Sequence, residues 1–219
     1  MKKNQKTTKM VRENQHYYAA LPDTKVKIHT VAESLRGHLY IFKTITGIFS
    51  FRKIDNGTKI LIENMTIPNK KGNLLDLGCG YGPIGIVLGY EARYNKIYLV
   101  DVNKRAIWCA KENIKTNIPD YKGRVQAITS DYFEKFINKS IIFDAIYMNP
   151  SLRLGRKEFL KLCSLIPDFL SSKGFFQFVI KKKMGAEYVF NKLKESYKER
   201  NVEIICKRGG YWIFSCFMN

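Results

Sequence analysis

Acidic residues are scarce in this sequence. Its 219 residues include 19 Asp and Glu against 38 Lys and Arg, for a formal net charge of +19 and a pI near 9.7. That imbalance is the electrostatic footprint of a polyanion partner, with RNA or DNA first among the candidates. A generally lysine-rich set of cytoplasmic proteins would give the same excess. Long apolar runs are also missing. None approaches the roughly 18 residues of a membrane span. Residues 1–10, Met-Lys-Lys-Asn-Gln-Lys-Thr-Thr-Lys-Met, carry charge without the apolar stretch of a secretory signal. Cysteine is sparse and unpatterned. Cys79, Cys109, Cys163, Cys206 and Cys216 are odd in number and lack metal-type spacing. Three of them lie in apolar segments and read as small core residues. The expectation is a cytoplasmic, reducing location with no membrane and no metal. With 45% hydrophobic residues the chain can still bury the core of one α/β domain with a small extension.

The informative segment is residues 74–85, Leu-Leu-Asp-Leu-Gly-Cys-Gly-Tyr-Gly-Pro-Ile-Gly. An apolar strand runs into a glycine-rich turn, and a helix starts near Pro83. Gly78, Gly80 and Gly82 remove side chains where the backbone must turn sharply and approach a ligand. The helix then offers its first N–H groups to that ligand. Such a turn alone is weak evidence, because any tight strand-to-helix connection can look like it. A second acid sharpens the pattern. Residues 97–100 form a strand-like run ending in Asp101, where Rossmann-like folds place an acid on a ribose diol. Asp76 in the turn would repel a pyrophosphate and suits an ammonium group. S-adenosylmethionine has that group, a sulfonium, an adenosine ribose and no phosphate. Here the sequence resembles the class I S-adenosylmethionine-dependent methyltransferases, whose first motif has the form acid-x-Gly-x-Gly-x-Gly. The resemblance implies S-adenosyl-L-methionine as cofactor and S-adenosyl-L-homocysteine as product.

Organisation along the chain agrees with an α/β fold. Residues 1–15 read as a flexible basic tail, with Lys2, Lys3, Lys6, Lys9 and Arg12. Residues 16–53 alternate apolar and polar, as in a small N-terminal β extension, and residues 55–65 read as a helix. The range 55–219 then forms a Rossmann-like core within a single domain, 16–219. Strands are predicted near 73–77, 96–101, 124–129, 143–148 and 174–181, and helices near 83–91, 103–117, 157–170 and 186–199. Pro167 should kink or end the third of these helices. Residues 202–206 and 211–217, around Gly209-Gly210, predict a closing antiparallel hairpin. The whole reads as a seven-stranded, mostly parallel sheet with helices on both faces.

Ligands in such sheets sit at the carboxyl ends of the strands. By position, the cofactor candidates are Asp76, Gly78, Cys79, Gly80 and Gly82, then Asp101 and Val102. Asp131 and Tyr132 follow, for the adenine. The catalytic candidates are Asn149 and Pro150. Amino-methyltransferases carry Asn/Asp-Pro-Pro-aromatic at this strand end, and an isolated Asn-Pro would be only a turn. An exocyclic amine on a base is a poor nucleophile because the ring delocalises its lone pair. An Asn oxygen and the next backbone carbonyl can accept its hydrogens and aim the lone pair, which is positioning and electrostatics without a strong base. Ser151 replaces the second proline and Leu152 the aromatic residue. Ser151 loosens Pro150, and Leu152 leaves Tyr147 or Phe133 as possible stacking partners for the base.

Further segments narrow the resemblance. Tyr81-Gly-Pro-Ile-Gly85, His16-Tyr-Tyr18, Gly47-Ile-Phe-Ser50, Asp55-x-Gly-Thr58, Leu152-Arg-Leu-Gly155, Ile180-Lys-Lys-Lys-x-Gly and Gly210-Tyr-Trp-Ile-Phe214 look like the methyltransferase small domain family. That family includes guanine-N2 methyltransferases of ribosomal RNA and archaeal single-domain relatives. The resemblance implies that Phe49, Ser50 and Thr58 help close the cofactor pocket. By position, Arg153, Arg156 and Lys157 after the fourth core strand and Lys181, Lys182 and Lys183 after the fifth should flank the pocket mouth and hold RNA phosphates, with Ser151 and Leu152 as further substrate-binding candidates. The expected partner is RNA, ribosomal RNA or a ribosomal particle. Two alternatives stay open: methylation of a protein glutamine, and an RNA-binding or assembly protein that keeps the fold without catalysis.

Overall fold

Strands that are apolar at nearly every position must be buried on both faces, and here they form the middle of a seven-stranded sheet. The computed structural model describes residues 25–137, 139, 141–151, 155–197 and 201–218. The basic tail, the motif at His16, and the rim residues Leu152 and Arg153 lie outside the described residues. The chain begins with strands β1 (Ile28–Leu35) and β2 (His38–Ile45), followed by helix α1 (Asn56–Asn64). Then come β3 (Asn73–Leu77), α2 (Pro83–Glu91), β4 (Lys96–Asp101), α3 (Lys104–Asn117), β5 (Val125–Thr129) and β6 (Phe143–Met148). The last elements are α4 (Arg156–Leu165), β7 (Leu170–Lys181), α5 (Ala186–Tyr197), β8 (Val202–Arg208) and β9 (Tyr211–Phe217). The sheet order is β5-β4-β3-β6-β7-β9-β8. The first five strands run parallel, and β9 is antiparallel to both β7 and β8.

Alternate residues along each strand feed two cores. Leu74, Ile97, Leu99, Ala145 and Tyr147 face α1, α2, α3 and the β1–β2 hairpin. Leu75, Leu77, Val100, Ile146 and Phe178 face α4 and α5. The hairpin shares the first core and is fastened to α3 by an unusual ladder. Asn117 and Asn113, one turn apart, each donate to and accept from a β2 residue, Ile41 and Lys43 respectively, at 2.6–3.0 Å. The two side-chain amides act as a third strand and cover one hairpin edge, which would otherwise expose unpaired backbone groups.

Two expected boundaries move. The helix expected over 157–170 ends at Leu165, and a 3-10 turn, Ile166–Phe169, carries Pro167. A proline has no N–H to continue the helix. Strand β7 begins at Leu170, four residues before the expected start, because the register slips: Phe143 pairs with Leu170, and Ala145 with Phe175. Ser171 reaches across this bulge to Asp144. The closing hairpin turns on Gly209 (φ 56°) and Gly210 (φ 77°). Positive φ at both central residues defines the type I′ turn that matches strand twist.

Candidate active site

The sheet order reverses between β3, which pairs with β4 on one side, and β6 on the other. In open α/β sheets ligands bind at such a switch point, beyond the carboxyl ends of the strands. The glycine turn after β3 sits there, its chain folded onto β4. Gly78 and Cys79 both donate N–H to the Val100 carbonyl, at 2.9 and 2.8 Å. Gly78, Gly80 and Gly82 all have positive φ, but their surroundings differ. A Cβ on Gly80 would meet nothing within 4 Å, and one on Gly78 would meet only the Met148 methyl at 3.9 Å. A Cβ on Gly82 would strike Leu99 at 2.9 Å. The first two glycines therefore border open space, and the third lets α2 close on β4.

Asp76 is 1% exposed. Its Oδ2 accepts the Gly85 N–H at 2.8 Å, in the first turn of α2, while its Oδ1 is buried without a hydrogen-bond partner. Burial pushes its pKa up to about 7, opposed by the Gly85 N–H and reinforced by the Asp101 charge. Asp101 accepts Gly80 N–H at 2.9 Å and Asn103 N–H at 2.8 Å, and burial raises its pKa as well. Two desolvated acids beside one turn would oppose an anionic ligand and favour a cationic one. The orphaned Asp76 oxygen and the open faces of Gly78 and Gly80 fit the ammonium and ribose of S-adenosylmethionine.

The surrounding segments converge on the same edge. The Asn103 side chain caps α3 and donates to the Gly47 carbonyl at 3.2 Å. This holds the turn carrying Phe49 beside the end of β4, and Phe49 stays 42% exposed. Ser50 shapes that turn through its hydroxyl bond to the Lys53 carbonyl. Val102 is partly buried beside Asp101. Ser130 N–H donates to the Asp101 carbonyl at 3.1 Å, so the exposed pair Asp131 and Tyr132 starts next to the same acid.

Asn149 ends β6 with a fixed orientation. Its Nδ2 donates to Asp55 Oδ2 at 2.9 Å and to Thr58 Oγ1 at 2.8 Å. A carboxylate only accepts, so the amide nitrogen must face Asp55 and the amide oxygen must face away from it. Thr58, expected over the cofactor, accepts a hydrogen bond from Asn149. Asp55, which opens the Asp-x-Gly-Thr block and caps the helix, is the other acceptor. The Asp-x-Gly-Thr block was the available signal, but its link to residue 149 is long-range. Neither proposed stacking residue is available to a base. Tyr147 is fully buried with its hydroxyl on the Thr66 carbonyl, and Phe133 is stacked on Phe169 at 4.0 Å. Both pack in the cores because strand alternation and the turn after β5 point them inward. A partly exposed aromatic, Tyr211, does lie against the first turn of α1. A Cβ on Gly57 would meet its ring at 2.9 Å.

Part of the basic rim is assembled. Arg156, Lys181, Lys182 and Lys183 line one cavity of about 940 Å³ together with Tyr188. Arg156 lies over the Tyr188 ring at 5.0 Å, and Lys181 over Tyr211 at 5.3 Å. Lys157 is exposed but does not line this cavity, and Ser151 is partly buried. Among the described residues, no group of three or more His, Cys, Asp or Glu could hold a metal ion. No helix there is long and apolar enough to cross a membrane.

The strand order, the glycine turn and its two acids define a Rossmann-like methyltransferase fold. Residues 39–215 match the methyltransferase small domain, and the chain belongs to that family, whose cofactor is S-adenosylmethionine. It is 33% identical over 204 residues to the uncharacterized protein YbxB of Bacillus subtilis, covering 91% of this chain and 96% of that protein. It is 32% identical over 188 residues to ribosomal RNA small subunit methyltransferase C of Buchnera aphidicola, covering 80% of this chain. The chain spans about half the length of that relative (50%). A solved structure, the T. thermophilus 16S rRNA N2 G1207 methyltransferase in complex with AdoMet and guanosine, superposes with a TM-score of 0.71. It is 20% identical, over 91% of this chain and 52% of that one, a likeness of fold.

Proposed function

We propose that this protein methylates an exocyclic amine of RNA, with guanine N2 in ribosomal RNA as the target. The observation that carries this reading is the oriented amide of Asn149, whose nitrogen is held by Asp55 and Thr58. Its outward oxygen, with the Pro150 carbonyl next in the chain, makes an acceptor pair for the two hydrogens of an amine. Binding both hydrogens favours a pyramidal nitrogen and aims its lone pair, a contribution of orientation and electrostatics. Asp76, Gly78, Gly80 and Asp101 would hold the cofactor, with Cys79, Gly82 and Val102 shaping its turn and Phe49, Asp131 and Tyr132 closing over it. The cofactor supplies an electrophilic methyl group on a sulfonium.

Charge supports RNA over a protein glutamine. The cavity lined by Arg156 and Lys181–Lys183 lies at the carboxyl end of β7, where it would hold phosphates. The T. thermophilus neighbour is a 16S rRNA N2 G1207 methyltransferase and the Buchnera relative a ribosomal RNA small subunit methyltransferase, which supports guanine N2 in ribosomal RNA as the target. The test pairs Asn149→Ala with the wild type. Calorimetry should find cofactor affinity nearly unchanged, while methyl transfer to ribosomal RNA drops about a hundredfold or more, as expected when an oriented acceptor is lost. Full activity in Asn149→Ala would refute the assignment.

A further inference from the structure

We infer that Asp55 is a positioning residue whose carboxylate locks the Asn149 side-chain amide in its acceptor-outward orientation. The inference rests on the role just proposed for Asn149. An asparagine at the end of a strand can turn its amide over, exchanging an acceptor for a donor at the same place. A donor facing an amine would oppose its hydrogens. Asp55 prevents that exchange, because Oδ2 accepts from Asn149 Nδ2 at 2.9 Å and a carboxylate has nothing to donate to an amide oxygen. Thr58 Oγ1 accepts the second hydrogen at 2.8 Å, so both amide hydrogens are engaged.

The carboxylate is itself held. It caps α1, accepting the Thr58 N–H through the same Oδ2 at 3.1 Å. Gly57 makes room beside it: a Cβ there would lie 2.9 Å from Asp55 Oδ2 and 2.9 Å from the Tyr211 ring. The carboxylate therefore lies among Thr58, Asn149 and the first turn of α1, where Tyr211 also packs. One acid serves as helix cap and as amide lock, so the segment between hairpin and sheet reaches the catalytic strand end.

Asp55→Ser separates the two jobs, since serine caps a helix as well as aspartate does, but its shorter side chain ends in a hydroxyl that can donate as well as accept and so fixes neither orientation of the Asn149 amide. The full chain is assayed with labelled S-adenosylmethionine and in vitro transcribed small-subunit ribosomal RNA. The expected result is kcat lower by about tenfold or more, with KM for RNA, calorimetric cofactor affinity and melting temperature close to wild type. Thr58→Val should lower kcat in the same way, and Asn149→Ala/Asp55→Ser should fall no further than Asn149→Ala alone. NMR gives a readout independent of turnover: the Asn149 side-chain amide protons, identified by their loss in Asn149→Ala, should exchange slowly in the wild type and faster in Asp55→Ser. Wild-type kcat in Asp55→Ser would overturn the inference. So would a loss of kcat matched by equal losses of cofactor affinity and stability, or an unprotected Asn149 amide in the wild type. If Asn149→Ala is fully active, the underlying reading fails; if it is inactive while Asp55→Ser is normal, only the lock fails.

Discussion

Asp76 carries the sharpest conflict at the residue scale. One oxygen anchors the N-terminus of α2 and the other is buried without a partner. Its pKa, raised from 3.8 to about 7 by burial, means that the folded, ligand-free protein binds a proton the unfolded chain releases. Stability is therefore fully present below about pH 4 and is lost as pH rises towards and through about 7; Asp101, shifted in the same direction, adds to the slope. Asp76→Asn should flatten this dependence in urea melts of the ligand-free protein between those pH values and should weaken cofactor binding. An unchanged slope would contradict the assignment. Asp101→Ala should lose cofactor affinity by roughly 1–3 kcal/mol, the range for one such hydrogen-bonding group, and calorimetry reads that directly. Because Asp101 also holds Gly80 and Asn103, some of the loss will come from a looser turn.

Among the elements, the helix after the glycine turn is the most tightly constrained. A Cβ on Gly85 would sit 2.4 Å from Leu99 Cγ, so α2 touches β4 nearly backbone to side chain. Gly85→Ala should destabilise the fold by about 1–3 kcal/mol, as overpacking does, and should displace the Asp76 anchor on Gly85 N–H. Denaturant midpoints with an unchanged slope would register it. The strands were legible in the sequence because runs such as Leu74–Leu77, apart from Asp76, and Ile97–Val100 are apolar and lead into glycine or acid. The β7 bulge was not, since nothing local marks Ser171 as the partner of Asp144. The contacts of Asn113 and Asn117 with β2, and of Asp55 with Asn149, were hidden for the same reason. Asp55 and Asn149 lie 94 residues apart, and only the folded chain brings the start of α1 to the end of β6. Helical and strand periodicity report which face is buried and are silent on which distant side chain a polar group will meet.

For the whole molecule, charge and architecture point to one surface. The net charge of +19 is spread along the chain, but Arg156 and Lys181–Lys183 gather part of it around one cavity at the end of β7. Binding to RNA should weaken steeply with salt as phosphate counterions are released, and replacing Lys182 and Lys183 together with Ala should reduce the slope of affinity against salt by about two phosphate contacts. A salt slope unchanged by that pair would place the RNA elsewhere on the protein. A guanine within a helix would have to leave its stack before its amine could reach Asn149, which makes the form of the RNA part of the test. The most direct measurement supplies labelled S-adenosylmethionine with small ribosomal subunits, and separately with their free RNA, then digests the product to nucleosides. Label in N2-methylguanosine is the expected result; label in N6-methyladenosine, label confined to protein, or no transfer at all would contradict it.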